Sequence, residues 1–158
     1  MGRVPEESLQ EQLKALQDRS SIIDVVCRYA VSIDRHQWQD LESCFAEEID
    51  LNVIRTGRWV RYQRPDLLRL LQGVFETYTA TQHISANHQV SIDGDRAVVW
   101  STLNATHYIK GLAEGEFHQQ VGYYEYHLIR GRDWRINSVR QVPHWQRGNQ
   151  QIFDSTLR

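Results

Sequence analysis

The sequence is poor in the features that mark several specialised classes of protein. It has only two cysteines, Cys27 and Cys44, which is too few for a disulfide framework or a cysteine-rich metal site. It contains no run of about 18 consecutive apolar residues, the length that a membrane-spanning helix needs. Its 18 Lys and Arg against 20 Asp and Glu give a net charge of −2, so no excess of positive charge attracts nucleic acid or an anionic membrane. We therefore expect a protein without a bound metal, nucleic acid or membrane partner.

The amino terminus also lacks the apolar stretch of a secretory signal, because its first twelve residues are polar and acidic. Together with the small number of cysteines, this predicts a reducing, cytoplasmic location.

Apolar and aromatic residues are present in the amounts that a folded domain needs. Hydrophobic residues make up 41% of the chain, with 5 Trp, 7 Tyr and 4 Phe. A chain of 158 residues can bury one hydrophobic core. No repeat, low-complexity tract or linker divides it, so we predict a single domain over residues 1–158. Within this domain we expect a helical lead-in over residues 1–19 and a C-terminal tail over residues 146–158.

The first half of the chain has the periodicity of helices. Leucines at helical spacing predict a lead-in helix from Glu6 to Asp18, and a wider apolar stripe predicts a second helix from Ser20 or Ser21 to Ile33. A third helix is expected from Gln37 to Phe45, followed by an acidic break and a strand from Ile49 to Ile54. Pro65 fits the first turn of a further helix.

After Tyr78 the periodicity changes to that of strands. Three long strands are predicted, with turns at Asp93–Asp95 and at Gly111–Gly115, and a fourth follows the turn at Gly131–Asp133. Such strands form an antiparallel sheet with one face covered by the helices, which is an α+β fold. A strongly twisted sheet wrapped on helices encloses a pocket suited to a small molecule.

Asp34 is the most informative polar residue. Helical spacing places it in line with Ile23, Cys27 and Ala30, so its carboxylate extends a buried stripe. One interpretation is a buried acid that orients a histidine. The other is that Asp34 caps the next helix, as a capping box over Asp34–Gln37 would have it. The local sequence leaves both open.

Histidines are the second group of candidates. His107 alternates with the apolar residues of its strand, so it faces inward either as a proton-transfer group or as a hydrogen-bonded core histidine. In the preceding strand, alternation puts His88 inward and His83 on the opposite face. A bulge near His83 would reverse that assignment.

Further candidates line the proposed pocket. Arg140 alternates with the apolar residues of the last strand and could neutralise an oxyanion, or form an internal ion pair. Tyr29 and Tyr123 offer hydroxyl groups, although core tyrosines need no function. Trp59 is a candidate pocket residue. The second face of the sheet carries an aromatic surface that calls for a partner, formed by Trp100, Tyr108, Tyr124 and Tyr126.

The sequence resembles the SnoaL-like branch of the nuclear transport factor 2-like superfamily, which includes scytalone dehydratase. The resemblance extends from about Ser20 to Phe153. It is carried by Ile23, Arg28–Ala30, Asp34, Trp38, Leu41, Phe45–Ala46, Thr81–His83, Ile92–Ala97, Gly122–Tyr124 and Trp134–Ile136. It implies a cone-shaped α+β barrel with N-terminal helices packed on a curved, mainly antiparallel sheet.

The resemblance also implies catalytic residues. Dehydratase members use one aspartate and one or two histidines, which match Asp34, His83 and His107. A match at His83 requires an irregularity in its strand. Tyr29 and Arg140 match substrate-binding positions of some members.

We therefore predict a cofactor-independent lyase, dehydratase-like, that acts on a small apolar or aromatic carbonyl compound. One alternative is a polyketide cyclase or a ketosteroid-type isomerase with the same residues. Another is a non-catalytic subunit, such as the β-subunit of a ring-hydroxylating dioxygenase, with its cone filled by Trp59, Phe75 or Trp100. The resemblance implies a homotrimer, with a homodimer as the alternative.

Overall fold

The structure is a computed structural model that describes residues 8–53 and 56–155. Ile54 of the predicted strand and the first part of the predicted lead-in lie outside this range. The elements are α1 (Leu9–Asp34), α2 (Trp38–Cys44), β1 (Phe45–Val53), β2 (Arg58–Gln63), α3 (Arg64–Phe75), β3 (Ala80–Ile84), β4 (Gln89–Asp93), β5 (Arg96–Tyr108), β6 (Phe117–Arg130), β7 (Trp134–Gly148) and α4 (Gln150–Ser155).

The strands form one curved mixed sheet in the order β2-β1-β7-β6-β5-β3, with β4 also paired to β5. The β1–β7 pair is parallel, and the other pairs are antiparallel. The helices pack on one face of the sheet through a shared hydrophobic cluster that includes Ile22, Tyr29 and Leu103. The predicted α+β class is confirmed.

The first helix is continuous, so the predicted break near Ser20 is wrong. Ser8 caps its start and forms a reciprocal capping box with Glu11. A serine in a helix interior satisfies its own hydroxyl locally without ending the helix. The first turns of α1 remain largely exposed, with Leu9 81% exposed, whereas from Ile22 onward one side of the helix is buried.

The second helix begins at Trp38 without a side-chain hydrogen bond at its cap residue, Gln37. The predicted capping box over Asp34–Gln37 is therefore wrong, since the Asp34 carboxylate binds strand β3 instead. The expected acidic break is also wrong, because β1 begins at Phe45 directly after α2.

The first of the predicted long strands is interrupted. In β3, His83 pairs with Ala105, whereas in β4 Val90 pairs with Val99. His83 and Val90 are seven residues apart, whereas their partners on β5, Ala105 and Val99, are six apart. One extra residue therefore lies between β3 and β4, as in a bulge. This reverses the alternation, so His83 and Val90 face the same side. The irregularity that the family resemblance required is present.

A similar bulge changes the last strand. Leu128 pairs with Ile136, but His127 pairs with Ser138, so Asn137 is an extra residue in β7. Beyond it, residues alternate in the opposite phase from the one that the sequence suggested. Arg140 is consequently exposed on the outer face.

The C-terminal tail expected over residues 146–158 includes regular secondary structure in the part that the structure describes. Strand β7 continues to Gly148, and α4 follows. Ile152 of this helix is 1% exposed, so the end of the chain contributes to the core.

The pairing of β5 with β6 has no shift in register and determines which tyrosines are buried. Tyr124 pairs with Ser101 and Tyr126 with Val99, both on the inner face. Tyr124 and Tyr126 are 2% and 0% exposed, so their predicted place on the outer surface is wrong. The outer face carries Trp100, whose ring contacts that of Tyr123 on the same face.

Gly122 offers a test of this packing. A Cβ atom at this position would overlap the carbonyl oxygen of Val142 and lie 2.8 Å from the Cα atom of Pro143. Gly122→Ala is expected to lower the free energy of unfolding by about 1–3 kcal/mol, because the backbone of β7 must move. Urea unfolding measures the difference. The control is Gly73→Ala in α3, where a Cβ meets open space, and which should raise stability by about 0.5–1 kcal/mol. Equal stability of Gly122→Ala and wild type would contradict the close approach of β6 and β7.

Candidate active site

Asp34 and His83 form a hydrogen-bonded pair between the end of α1 and strand β3. The Nδ1 atom of His83 lies 2.7 Å from Oδ1 of Asp34. The backbone N–H of His83 donates to Oδ2 at 2.7 Å, and the hydroxyl of Thr81 donates to Oδ1 at 2.8 Å. Three bonds therefore hold the carboxylate against the strand and fix its orientation relative to the imidazole ring.

The pair is shielded from solvent on the histidine side. The His83 side chain is 3% exposed and that of Asp34 is 19% exposed. Burial acts to raise the pKa of Asp34, but the hydrogen bonds and charge of His83, with the Thr81 hydroxyl, outweigh it and lower this pKa. Asp34 is thus ionised at neutral pH.

The ionised carboxylate determines the tautomer of His83. A carboxylate can only accept hydrogen bonds, so Nδ1 of His83 carries the proton at their contact. The other nitrogen, Nε2, then has a lone pair when the ring is neutral. This is the arrangement in which a carboxylate prepares a histidine to act as a general base.

His107 lies beside His83 in the interior. The two ring centroids are 5.5 Å apart and the rings are nearly perpendicular. His107 is 4% exposed, and burial, followed by the nearby His83 and His118, lowers its pKa to about 3. It is therefore neutral at pH 7. The sequence predicted that His107 transfers a proton. As a neutral imidazole, His107 can instead donate a hydrogen bond from its N–H group.

Aromatic side chains from α3 and the turn after it cover the two imidazoles. The Phe75 ring centroid lies 5.5 Å from that of His83 and 6.1 Å from that of His107. The Tyr78 ring lies 4.7 Å from His107. These rings give the site an apolar wall.

The three side chains suggested as fillers of the cone behave differently. Trp59 and Trp100 are 52% and 37% exposed, so neither fills the interior. Phe75 is the one that contacts the imidazoles.

His88, the alternative to His83, lies elsewhere. Its Nε2 atom is 3.1 Å from the hydroxyl of Ser85 and 4.0 Å from the Sγ atom of Cys27. The structure therefore pairs Asp34 with His83, as the family resemblance implied and simple alternation did not.

Three of the predicted substrate-binding residues are not brought to this pair. Arg140 is half exposed, and its Nη1 atom is 3.6 Å from Oε2 of Glu125 on the outer face. Tyr123 also lies on the outer face, where its ring contacts Trp100. Trp59 is exposed on β2, at one edge of the sheet. The bulge at Asn137 explains why Arg140 faces outward. The unbroken register between β5 and β6 explains why Tyr123 does so as well.

Tyr29 is in the interior, as expected, but it contacts other aromatic rings. Its ring lies edge-on to those of Tyr124 and Tyr126, at 6.4 and 5.6 Å between centroids. Burial raises the pKa of Tyr29, so its hydroxyl stays neutral. The Tyr124 hydroxyl accepts a hydrogen bond of 3.1 Å from Nε2 of Gln141.

Several inward polar residues were not among the predicted site residues. They are Thr81, His118, Gln120, Tyr124 and Gln141. For β6 a signal existed. Every second residue from His118 faces inward once His107 is paired with His118 across the Gly111–Gly115 turn.

Two surface clefts lie apart from the Asp34–His83 pair. One, of about 320 Å³, lies beside α1, and in it a bidentate ion pair between Asp18 and Arg130 compensates charge. The other, of about 310 Å³, lies across strands β4, β5, β6 and β7, with Ser91 and Asn137 at its two ends. Within residues 8–53 and 56–155, no group of three His, Cys, Asp or Glu side chains could hold a metal ion. None of the helices in that part of the chain is long and apolar enough to span a membrane.

The comparison with known families matches the SnoaL-like domain to residues 14–140. The chain belongs to the SnoaL-like family. No curated protein matches this SnoaL-like chain. The match confirms the family that the sequence resembled. Two of the structural neighbours are described as nuclear transport factor 2-like, one of them with a cystatin-like fold.

Solved structures similar to this SnoaL-like protein cover nearly its whole length. A Kribbella flavida protein is 27% identical, with a TM-score of 0.81 over 87% of this chain and 97% of the other. A protein from Novosphingobium aromaticivorans proposed to be a scytalone dehydratase is 15% identical, with a TM-score of 0.75 over 85% and 89%. A hexachlorocyclohexane dehydrochlorinase from Novosphingobium barchaimii is 17% identical, with a TM-score of 0.74 over 87% and 94%. The last two show the fold alone.

Proposed function

We propose that this SnoaL-like protein is a lyase that eliminates water from a small carbonyl compound without a cofactor. The observation that carries the proposal is the 2.7 Å contact between Nδ1 of a buried His83 and the Asp34 carboxylate. A lyase or isomerase role is also consistent with the neighbours, among which are proteins named as dehydratase and dehydrochlorinase. Both names describe eliminations.

The proposed reaction begins with proton removal by His83. Its Nε2 lone pair takes a proton from the carbon next to the carbonyl group, and the C–H electron pair forms an enolate. The enolate then forms the carbon–carbon double bond as the C–O bond to the β-hydroxyl group breaks. The proton on Nε2 passes to the departing hydroxyl, which leaves as water, and His83 returns to its starting state. The neutral N–H of His107 can hydrogen-bond to the leaving oxygen.

The charge of Asp34 supports the first step. When Nε2 takes a proton, His83 becomes an imidazolium ion, and the carboxylate 2.7 Å away stabilises it. The pair is largely buried, so water screens this attraction little.

The walls of the site favour an apolar or aromatic substrate. Phe75 and Tyr78 present aromatic rings beside the two histidines. Rings in such positions stack with, or lie edge-on to, a flat apolar ligand. A cyclase or an isomerase would begin with the same proton removal, so the fate of the enolate separates the three activities.

The experiment uses the aldol of benzaldehyde and acetone, a β-hydroxy ketone that loses water to give benzylideneacetone. The conjugated product is followed by its near-ultraviolet absorption. We expect the protein to accelerate this dehydration above the buffer rate. Acceleration would support a lyase, and proton exchange next to the carbonyl without dehydration would instead support an isomerase or cyclase. If the protein shows neither dehydration nor proton exchange, the proposal is contradicted and a non-catalytic subunit is favoured.

We also propose a cytoplasmic homotrimer that takes a small-molecule substrate. Trp100 is 37% exposed and packs against Tyr123 on the outer face of the sheet, and such an aromatic face is suited to contact with another subunit. Light scattering should give a mass three times the 18.6 kDa of one chain. A mass of two chains would support the homodimer instead, and a monomer would contradict both.

A further inference from the structure

One row of residues crosses the inner face of the sheet from the candidate base to a buried amide. His83 on β3 pairs with Ala105 on β5, and Ala105 pairs with Gln120 on β6. Neighbouring strands lie about 4.8 Å apart, so the Cα atoms of His83 and Gln120 are about 10 Å apart. The residue between them is an alanine, whose side chain is a single methyl group. His83 and Gln120 therefore flank the small side chain of Ala105 on the inner face of the sheet.

Gln120 has an unusual environment for an amide side chain. It is 1% exposed, and its Nε2 group has no hydrogen-bond partner among the described residues. Gln146 lies opposite Gln120 on β7, but its Oε1 atom contacts Nε2 of His118 at 3.2 Å and not the Gln120 amide. A buried N–H donor without an acceptor destabilises a fold, so buried amides are nearly always paired.

The proposed elimination needs a donor of this kind. Negative charge develops on the carbonyl oxygen when the neighbouring carbon loses its proton, and a fixed N–H group stabilises that charge. Of the two residues that the sequence suggested for this task, Arg140 faces the other side of the sheet, and Tyr29 packs against the rings of Tyr124 and Tyr126. Gln120 is on the same face as His83.

We infer that Gln120 donates its Nε2 hydrogen bond to the carbonyl oxygen of the substrate while His83 takes the proton from the adjacent carbon. This assignment rests on the proposed function and adds to it the position of the substrate carbonyl, above Ala105. A carbonyl group and its neighbouring carbon, with one hydrogen-bonded contact at each end, fill a gap of this order. The ligand class is a small, flat ketone with an acidic hydrogen next to the carbonyl.

The test measures proton exchange in a ketone that cannot eliminate water. Indanone is a flat bicyclic aromatic ketone, and its hydrogens next to the carbonyl are replaced by deuterium in heavy water, which proton NMR follows. We expect wild type to accelerate the exchange, and Gln120→Leu to reduce that acceleration about 10²–10³-fold. Gln120→Met, unbranched and likewise without a donor, should show the same loss. The matched control is Gln119→Leu, one residue away on the outer face, which should exchange at the wild-type rate.

A stability measurement separates this role from a structural one. If the Gln120 amide donates only to a bound ligand, it is an unsatisfied buried donor in the free protein, and removing it should not lower stability. The urea midpoint of Gln120→Leu or Gln120→Met should therefore equal or exceed that of wild type. A lower midpoint in both variants would assign Gln120 to the core and overturn the inference.

The exchange assay also distinguishes the two proposals. Loss of exchange in His83→Ala, with wild-type exchange in both Gln120 variants, would overturn the role of Gln120 and leave the proposed function intact. Wild-type protein that does not accelerate exchange would overturn both.

Discussion

His83→Ala is expected to lower the rate of dehydration of the benzaldehyde–acetone aldol by about 10²–10⁴-fold, the usual contribution of a general base. The substitution removes the imidazole ring that the Asp34 carboxylate orients, and with it the Nε2 lone pair. The rate of enone formation under saturating protein gives the effect directly. His83→Gln should lose as much activity, because an amide can donate to Asp34 but cannot take the proton.

The controls for this result are a second histidine and the displaced arginine. His88→Ala removes a half-buried histidine that contacts Ser85 and Cys27, and it should keep activity close to wild type. Arg140→Ala should do so as well, because this side chain pairs with Glu125 on the outer face. Circular dichroism confirms that each variant is folded. A His83→Ala protein with wild-type turnover, or a His88→Ala protein without turnover, would contradict the assignment.

Acid should destabilise the protein through His107 well before the carboxylates titrate. The ordinary pKa of histidine, about 6.5, applies to the unfolded chain, whereas burial lowers the pKa of His107 to about 3 in the folded protein. Below pH 6.5 the unfolded state therefore binds a proton that the folded state does not. Stability is complete above that pH and falls on acidification toward pH 3, by up to about 1.4 kcal/mol for each pH unit. Between pH 7 and pH 5 the loss from this residue is about 2 kcal/mol.

Urea unfolding at pH 7 and pH 5 measures this loss. Wild type should lose about 2 kcal/mol more than His107→Leu over the same interval, because leucine does not titrate. The comparison uses the change with pH in each protein, so a different absolute stability of the variant does not affect it. A His107→Leu protein that loses as much stability as wild type would show that His107 is protonated in the folded state.

The sequence predicted the elements well where local signals decide the structure. Pro65 at the start of α3 and the Asp-Gly turn after β4 were found because their backbone preferences are local. The boundary near Ser20 failed because serine prefers the cap position but is also tolerated in an exposed helix turn.

Bulges account for the residues that faced the wrong way. Alternation assigns faces only within an uninterrupted ladder, and one extra residue reverses every assignment beyond it. The bulge between β3 and β4 turned His83 inward, and that at Asn137 turned Arg140 outward. Between β3 and β4 the one local mark is Asn87, whose φ of 55° is a conformation that asparagine adopts more readily than most residues.

The pairing of Asp34 with His83 depended on tertiary contact. From the sequence, Asp34 could equally cap the next helix. The choice is made by Thr81 and the His83 backbone, which offer two donors 47 and 49 residues away. The family resemblance supplied this pairing before the structure did. The resemblance could not identify Gln120. This residue stands out because, among the described residues, its buried Nε2 group has no hydrogen-bond partner, and that depends on the tertiary structure.

The proposed role of His83 as a base can be tested without a substrate, by measuring which ring nitrogen carries the proton. Nitrogen-15 NMR of the imidazole rings distinguishes protonated from unprotonated nitrogens, and the His83→Gln spectrum identifies the His83 signals among the seven histidines. In the neutral ring, which a spectrum recorded at alkaline pH shows, we expect Nδ1 of His83 to carry the proton and Nε2 to be unprotonated, and Asp34→Asn to move the proton toward Nε2. A wild-type protein whose His83 carries its proton on Nε2 would contradict the account, because that nitrogen could not then act as the base.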